Sequence, residues 1–144
     1  MIRQRFHIKR YYWNVTAYYV VKEYHFNEIM SNLKRIGCDG EYIKTACANL
    51  KANKLNSGLT YSNYGLRETV LVVALASSSK DFHRALMHEV RHLQSHVATA
   101  YNIDEKGEEV CYLLDDIVGE IHSVVAPLIC DCCRIKEHNH DGRN

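Results

Sequence analysis

The segment Glu68–Ala76, with the sequence ETVLVVALA, constrains the fold most, because seven apolar residues follow one another from Val70 onward. A run of this length that is rich in β-branched residues is typical of a strand, and its lack of polar positions suits a strand buried on both faces of a sheet. The preceding segment, LTYSNY, alternates between apolar and polar residues, and Gly65 separates the two. The pattern therefore predicts a β-hairpin whose second strand is fully buried.

The rest of the chain predicts a mixture of strands and helices. YWNVTAYYVVKEY reads as a strand that extends backward through RFHIKRY, while FNEIMSNLKRIG and GEYIKTACANLKAN have helical spacing. After the hairpin, serines 77–79 offer an N-cap for a helix that runs to about Thr99, with Asp81 three residues after Ser78. A last amphipathic helix is expected between Asp104, its predicted N-cap, and Pro127.

These elements predict an α+β fold, with a small mixed or antiparallel sheet packed on helices and a long C-terminal helix. Residues 1–130 form the predicted domain, and residues 131–144 form a polar tail that we expect to be flexible. A chain of 144 residues suits one domain and one site.

Composition excludes several classes of function. Lys plus Arg number 18 against 17 for Asp plus Glu, so no overall charge favours nucleic acid or an anionic membrane surface. No run approaches the roughly 18 apolar residues of a membrane span, and the N-terminal segment lacks the pattern of a signal peptide. The six cysteines are therefore expected to be free thiols in a reducing, cytoplasmic location.

The predicted helix after the hairpin contains His88-Glu89-Val90-Arg91-His92, an HExxH sequence. Two histidines four residues apart project about 40° apart on a helix, so both neutral rings can bind one zinc ion. Glu89, about 100° round from His88, lies beside the ligands, where it can take a proton from an activated water. The apolar residues of this helix occupy the opposite side, which leaves the histidines facing a cleft: Leu86, Val90, Leu93 and Val97.

A catalytic zinc site needs a third protein ligand. His96 continues the four-residue series, but eight helical residues place it about 12 Å from His88, too far to share an ion. The better candidates begin the next helix, where the wheel favours Glu108 and leaves Glu109 as the alternative. On the same helix, Tyr112 is a candidate for stabilising an oxyanion or orienting Glu108. Asp115 is a candidate acceptor for the outer N–H of a ligand histidine.

A predicted strand is followed by the helix HEVRHLQSH, a short loop and a helix that begins with GEEVCYL. This order resembles the small HExxH metallopeptidase-like proteins of bacteria and their phages. The resemblance covers roughly residues 60–122 and implies a zincin-like fold of the gluzincin type. It implies one Zn²⁺ held by His88, His92 and Glu108, with Glu89 as general base for hydrolysis of a peptide bond. It also implies an extended protein or peptide substrate along the LTYSNY strand. Thermolysin-like gluzincins have Asp four residues after the ligand Glu, whereas this chain has Tyr112.

Two other functions remain open from the sequence. One is a catalytically inactive zincin-like binding module, and the other is a metal-free interaction protein of a phage or mobile element. A second group of metal-ligand types matches no standard zinc-site spacing, so reduced thiols are the simpler interpretation: Cys130, Cys132, Cys133, His138 and His140.

Overall fold

A computed structural model of the protein describes residues 1–52 and 57–130. Within these residues, four strands form one mixed sheet in the order β1-β2-β4-β3, and four α-helices pack against it. The strands are β1 (Ile2–Ile8), β2 (Trp13–Val21), β3 (Gly58–Asn63) and β4 (Glu68–Ala74). The helices are α1 (Phe26–Arg35), α2 (Gly40–Lys51), α3 (Ser79–Ala100) and α4 (Glu108–Ile129). The predicted α+β class, with a mixed sheet and a long C-terminal helix, is confirmed.

Strand β4 is buried on both faces, as its apolar run predicts. It pairs in parallel with β2 and antiparallel with β3, so it lies inside the sheet. Val70 and Val72 pack in the core that contains residues of α1 and α2, whereas Leu71 and Val73 pack in the core that contains residues of α3 and α4. The sheet therefore separates two helical layers.

The N-terminal strand prediction is wrong at one point, because the chain reverses within it. A short 3-10 helix, Lys9–Tyr11, joins β1 to β2, and the two strands pair antiparallel. The reversal uses no glycine, proline or asparagine; Tyr12 instead adopts a positive φ of 50°. Without the usual turn residues, the aromatic and basic sequence gives no sign of the break.

The start of α3 follows its predicted capping pattern. The Ser78 hydroxyl accepts the backbone N–H of Asp81 at 3.1 Å, and the Asp81 carboxylate accepts the Ser78 hydroxyl at 2.9 Å. This reciprocal pair satisfies one of the free N–H groups at the helix start. The start of α4 differs from its prediction, because Gly107 is the N-cap. Asp104 instead accepts the backbone N–H of Lys106, within the turn before the helix.

Strand β3 forms one edge of the sheet, beside α3. Its side chains alternate, so Thr60 and Ser62 face α3, whereas Leu59 and Tyr61 pack toward α1 and α2. None of the helices in residues 1–52 and 57–130 has the length and apolar character needed to cross a membrane.

Candidate metal centre

The histidine pair lies on the exposed side of α3. The Nε2 atoms of His88 and His92 are 3.2 Å apart, and their ring centroids are 4.9 Å apart. Two nitrogens that bind one tetrahedral zinc ion with bonds of about 2.0–2.1 Å lie about 3.3–3.4 Å from each other. The two rings therefore already have nearly the spacing of two zinc ligands. The same distance permits a hydrogen bond between the two rings.

Glu89 turns from the exposed side of α3 toward strand β3. Its side chain is only 5 % exposed, and its Oε2 accepts the Thr60 hydroxyl at 2.5 Å. The space beside it depends on Gly58, because a Cβ at that position would lie 2.8 Å from Glu89 Cγ and 3.0 Å from Oε1. Strand β3 thus supplies the Thr60 hydroxyl that donates to this carboxylate and, at Gly58, the space beside it.

Two clefts meet beside His88 and Glu89. One has a volume of about 430 Å³ and lies among α2, β3 and α3, with both His88 and His92 in its wall. The other, of about 540 Å³, is lined by Gly58 and by residues from the first turns of α3. Glu89 and His88 line both clefts. Although Glu89 is buried, a ligand in either cleft can therefore approach it.

His96 lines the first cleft but is bound to the sheet. Its Nδ1 lies 2.7 Å from the Ser62 hydroxyl, and the ring is half-buried. Burial, together with the nearby His92, lowers the pKa of His96 below its ordinary value, which favours the neutral ring.

The structure does not bring Glu108 or Glu109 to the histidine pair. Among residues 1–52 and 57–130, no three His, Cys, Asp or Glu side chains come close enough to hold a metal ion. Helix α4 meets α3 through Gln94, whose Nε2 donates to the Val110 carbonyl at 2.9 Å. Gln94 lies about 200° round the helix from His92, so α4 packs on the side of α3 away from the histidines.

The four candidate residues on α4 have other surroundings. Glu109 accepts the Tyr11 hydroxyl at 3.0 Å, while Glu108 is exposed. Tyr112 is stacked beside Arg10, whose Cζ is 5.8 Å from the ring centroid. Asp115 lines a separate cleft together with the end of β1. From the sequence, we expected the short loop between α3 and α4 to bring these residues close to the histidines. That expectation did not take into account which face of α3 packs against α4.

Several residues of the site carried no signal in the sequence. Thr60 and Ser62 belong to the predicted strand LTYSNY, whereas Gly58 lies just before it; in the structure β3 begins at Gly58, and the i, i+2 spacing places all three residues on one face. What the sequence lacks is the position of that strand relative to α3. Cys130 is half-buried at the end of α4, whereas the tail that contains Cys132, Cys133, His138 and His140 lies outside the described residues.

Tyr42 of α2 contacts the outer edge of β3. Its hydroxyl donates to the Thr60 carbonyl at 2.8 Å, so this carbonyl points away from β4. Burial, and then the charge of Glu89, raises the pKa of Tyr42 to about 12, which keeps the hydroxyl protonated as a donor. An extended peptide that pairs with this edge must therefore replace the Tyr42 contact.

No protein-family model, curated protein or solved structure matches this chain. Its function is therefore inferred from the geometry of the site itself.

Proposed function

We propose that the protein is a zinc-dependent peptidase of the zincin-like type, in which His88 and His92 hold the metal and Glu89 is the general base. The observation that carries this proposal is the 3.2 Å separation of the two Nε2 atoms, with the Glu89 carboxylate beside them against the edge strand. A histidine pair alone fits many metal sites, but a neighbouring carboxylate that opens into the same cleft suits hydrolysis.

The residues present fit two of the four positions of a tetrahedral zinc ion. The described residues provide no third protein ligand, so Glu108, with Glu109 as its alternative, stays a prediction that this arrangement of α3 and α4 does not favour. A site with two protein ligands binds zinc more weakly than one with three. Zinc should therefore be added during assays rather than expected to survive purification.

A bound zinc ion supplies Lewis-acid polarisation of a carbonyl oxygen and makes water acidic enough to lose a proton near neutral pH. Glu89 then has a defined task. Thr60 holds its Oε2, which leaves Oε1 to accept a proton from the water that attacks the peptide carbonyl carbon. When the C–N bond breaks, the same carboxyl group returns that proton to the leaving amine. Thr60 keeps the carboxylate oriented through both transfers.

The substrate class follows from the position of the edge strand. Strand β3 runs along the cleft that contains the histidines, and an unpaired strand edge can bind an extended peptide by main-chain hydrogen bonds. The proposed substrate is therefore an unfolded or extended protein segment.

The test combines metal binding with hydrolysis. Co²⁺, which gives a visible absorption spectrum in tetrahedral sites, is titrated into the wild-type protein and into His88→Ala, His92→Ala and Glu89→Gln variants. His83→Ala is the matched control, because His83 is exposed on the same helix and lines neither cleft. We expect tetrahedral binding in the wild type, the control and Glu89→Gln, and its loss in the other two. Equal spectra for His92→Ala and His83→Ala would contradict the site.

Hydrolysis is followed with a library of quenched fluorescent peptides in the presence of Zn²⁺. Removal of the general base in Glu89→Gln should slow cleavage by about 10²–10⁴-fold while leaving metal binding intact. His83→Ala should keep the wild-type rate.

A second candidate function is a zincin-like binding module that holds metal without catalysis. It is favoured by the missing third ligand among the described residues and by the Tyr42 contact on the strand edge. This candidate predicts metal binding by the same two histidines, with no peptide cleavage in any variant.

A further inference from the structure

A chain of hydrogen bonds crosses the sheet and ends at His96. The Trp13 indole Nε1 donates to the Thr69 hydroxyl at 2.9 Å, Thr69 lies 2.7 Å from the Ser62 hydroxyl, and Ser62 lies 2.7 Å from His96 Nδ1. Trp13 and Thr69 are almost fully buried, at 0 % and 1 % exposure. The chain thus links the interior of the sheet to the wall of the cleft.

The direction of this chain follows from its buried end. An indole N–H is only a donor, so the Thr69 oxygen must accept from Trp13. Within the described residues, the remaining partner of the Thr69 hydroxyl is Ser62. If Ser62 donated to Thr69 instead, the Thr69 proton would be buried without an acceptor, which is unfavourable. Thr69 therefore donates to Ser62. Ser62 is only 9 % exposed, and its hydroxyl has no other hydrogen-bond partner among the described residues, so its own proton goes to Nδ1 of His96.

This direction decides which ring nitrogen of His96 carries the proton. In a neutral imidazole one nitrogen donates and the other accepts, and the partner of one nitrogen sets the state of the other. Because Nδ1 accepts from Ser62, the proton lies on Nε2. No residue of the described part of the chain hydrogen-bonds to Nε2, and the ring lines the cleft beside His92, with 6.3 Å between the two ring centroids.

We propose that the chain Trp13–Thr69–Ser62 holds His96 as an Nε2–H donor for a carbonyl oxygen bound next to His92, and thereby excludes His96 from the metal. A histidine that binds a metal shows the opposite arrangement. The ring nitrogen that points away from the metal carries the proton and donates it to an acceptor, and the other nitrogen binds the metal through its lone pair. The ligand class rests on the proposed peptidase function, in which the carbonyl belongs to the substrate. The protonation pattern of the ring does not depend on that function.

The first test is a long-range ¹H–¹⁵N correlation spectrum of the histidine rings in the metal-free protein, near pH 7. The spectrum distinguishes protonated from unprotonated ring nitrogens, and His96→Gln assigns the signals. We expect an unprotonated Nδ1 and a protonated Nε2 for His96. A protonated Nδ1 with a bare Nε2 would overturn the proposal, whatever the protein's activity.

The second test separates a donor from a metal ligand. Zn²⁺ affinity and then the affinity of the zinc-loaded protein for acetohydroxamate, a small carbonyl-containing zinc binder, are measured by calorimetry for the wild type, His96→Ala and His83→Ala. We expect the zinc affinities of the three proteins to agree within about twofold. The affinity for acetohydroxamate should be about tenfold lower in His96→Ala alone, because a tenfold change corresponds to a lost hydrogen bond of about 1.4 kcal/mol.

Each remaining outcome decides against part of the proposal. A large loss of zinc affinity in His96→Ala would make His96 a ligand, and an unchanged acetohydroxamate affinity would remove its role as donor. If the wild-type protein binds no zinc, the peptidase function and the place of His96 beside a metal fail together, while the ring spectrum still decides the direction of the chain.

Discussion

The contact between Thr60 and Glu89 leads to a prediction that the structure makes quantitative. Thr60→Val replaces the hydroxyl with a methyl group of nearly the same size and keeps a β-branched residue in the strand. It removes the 2.5 Å hydrogen bond to a carboxylate that is 5 % exposed. Hydrogen bonds to charged groups contribute about 1.5–3 kcal/mol, so we expect a loss of about 2 kcal/mol in the free energy of unfolding. For a chain of this length, that lowers Tm by about 6 °C.

The assay is urea unfolding at pH 7, carried out as a double-mutant cycle with Glu89→Gln. Thr16→Val is the matched control, because Thr16 is a strand residue of similar burial with no hydrogen bond from its side chain among the described contacts. The control should change the free energy of unfolding by less than about 0.5 kcal/mol. The coupling between Thr60 and Glu89 should exceed about 0.5 kcal/mol, the lower limit for residues in contact. A Thr60→Val variant as stable as the control, with no coupling, would show that Thr60 does not hold the carboxylate.

Three further predictions concern the surroundings of the site. Gly58→Ala forces a Cβ against the Val72 carbonyl oxygen and to within 2.8 Å of Glu89 Cγ, and should destabilise the protein by about 1–3 kcal/mol, as measured by urea unfolding. Tyr42→Phe frees a carbonyl on the edge of β3 and should strengthen peptide binding several-fold, measured as KM; weaker binding would identify the hydroxyl as a substrate contact instead. Hydrogen bonds from the hydroxyls of Ser77 and Ser78 lower the pKa of Asp81 from its ordinary 3.8. Asp81→Asn should therefore be less stable than wild type at pH 7, and the difference should vanish as the pH falls through that lowered pKa, measured by urea unfolding down to about pH 2.

Local sequence signals predicted most of the secondary structure. The serine cap and helical periodicity of α3 act within a few residues, so the helix begins at Ser79 as expected. The apolar run of β4 likewise required a strand with cover on both faces. The exceptions are places where the local signal is missing or misleading. The reversal at Lys9–Tyr11 has no turn residue, and Asp104 resembles an N-cap but belongs to the preceding turn.

The sequence alone determined the spacing of His88 and His92, because four residues of helix place two side chains one above the other wherever the helix packs. It also determined that Glu89 would lie to one side of them. Only the tertiary structure decided what surrounds these residues. Strand β3 brings Thr60 to Glu89, and α4 packs on the far side of α3, away from the pair, where Gln94 donates to the Val110 carbonyl. The physical reason is that helical geometry is set by neighbouring residues, whereas the rotation of one helix against its neighbours is set by side-chain packing between segments far apart in the chain.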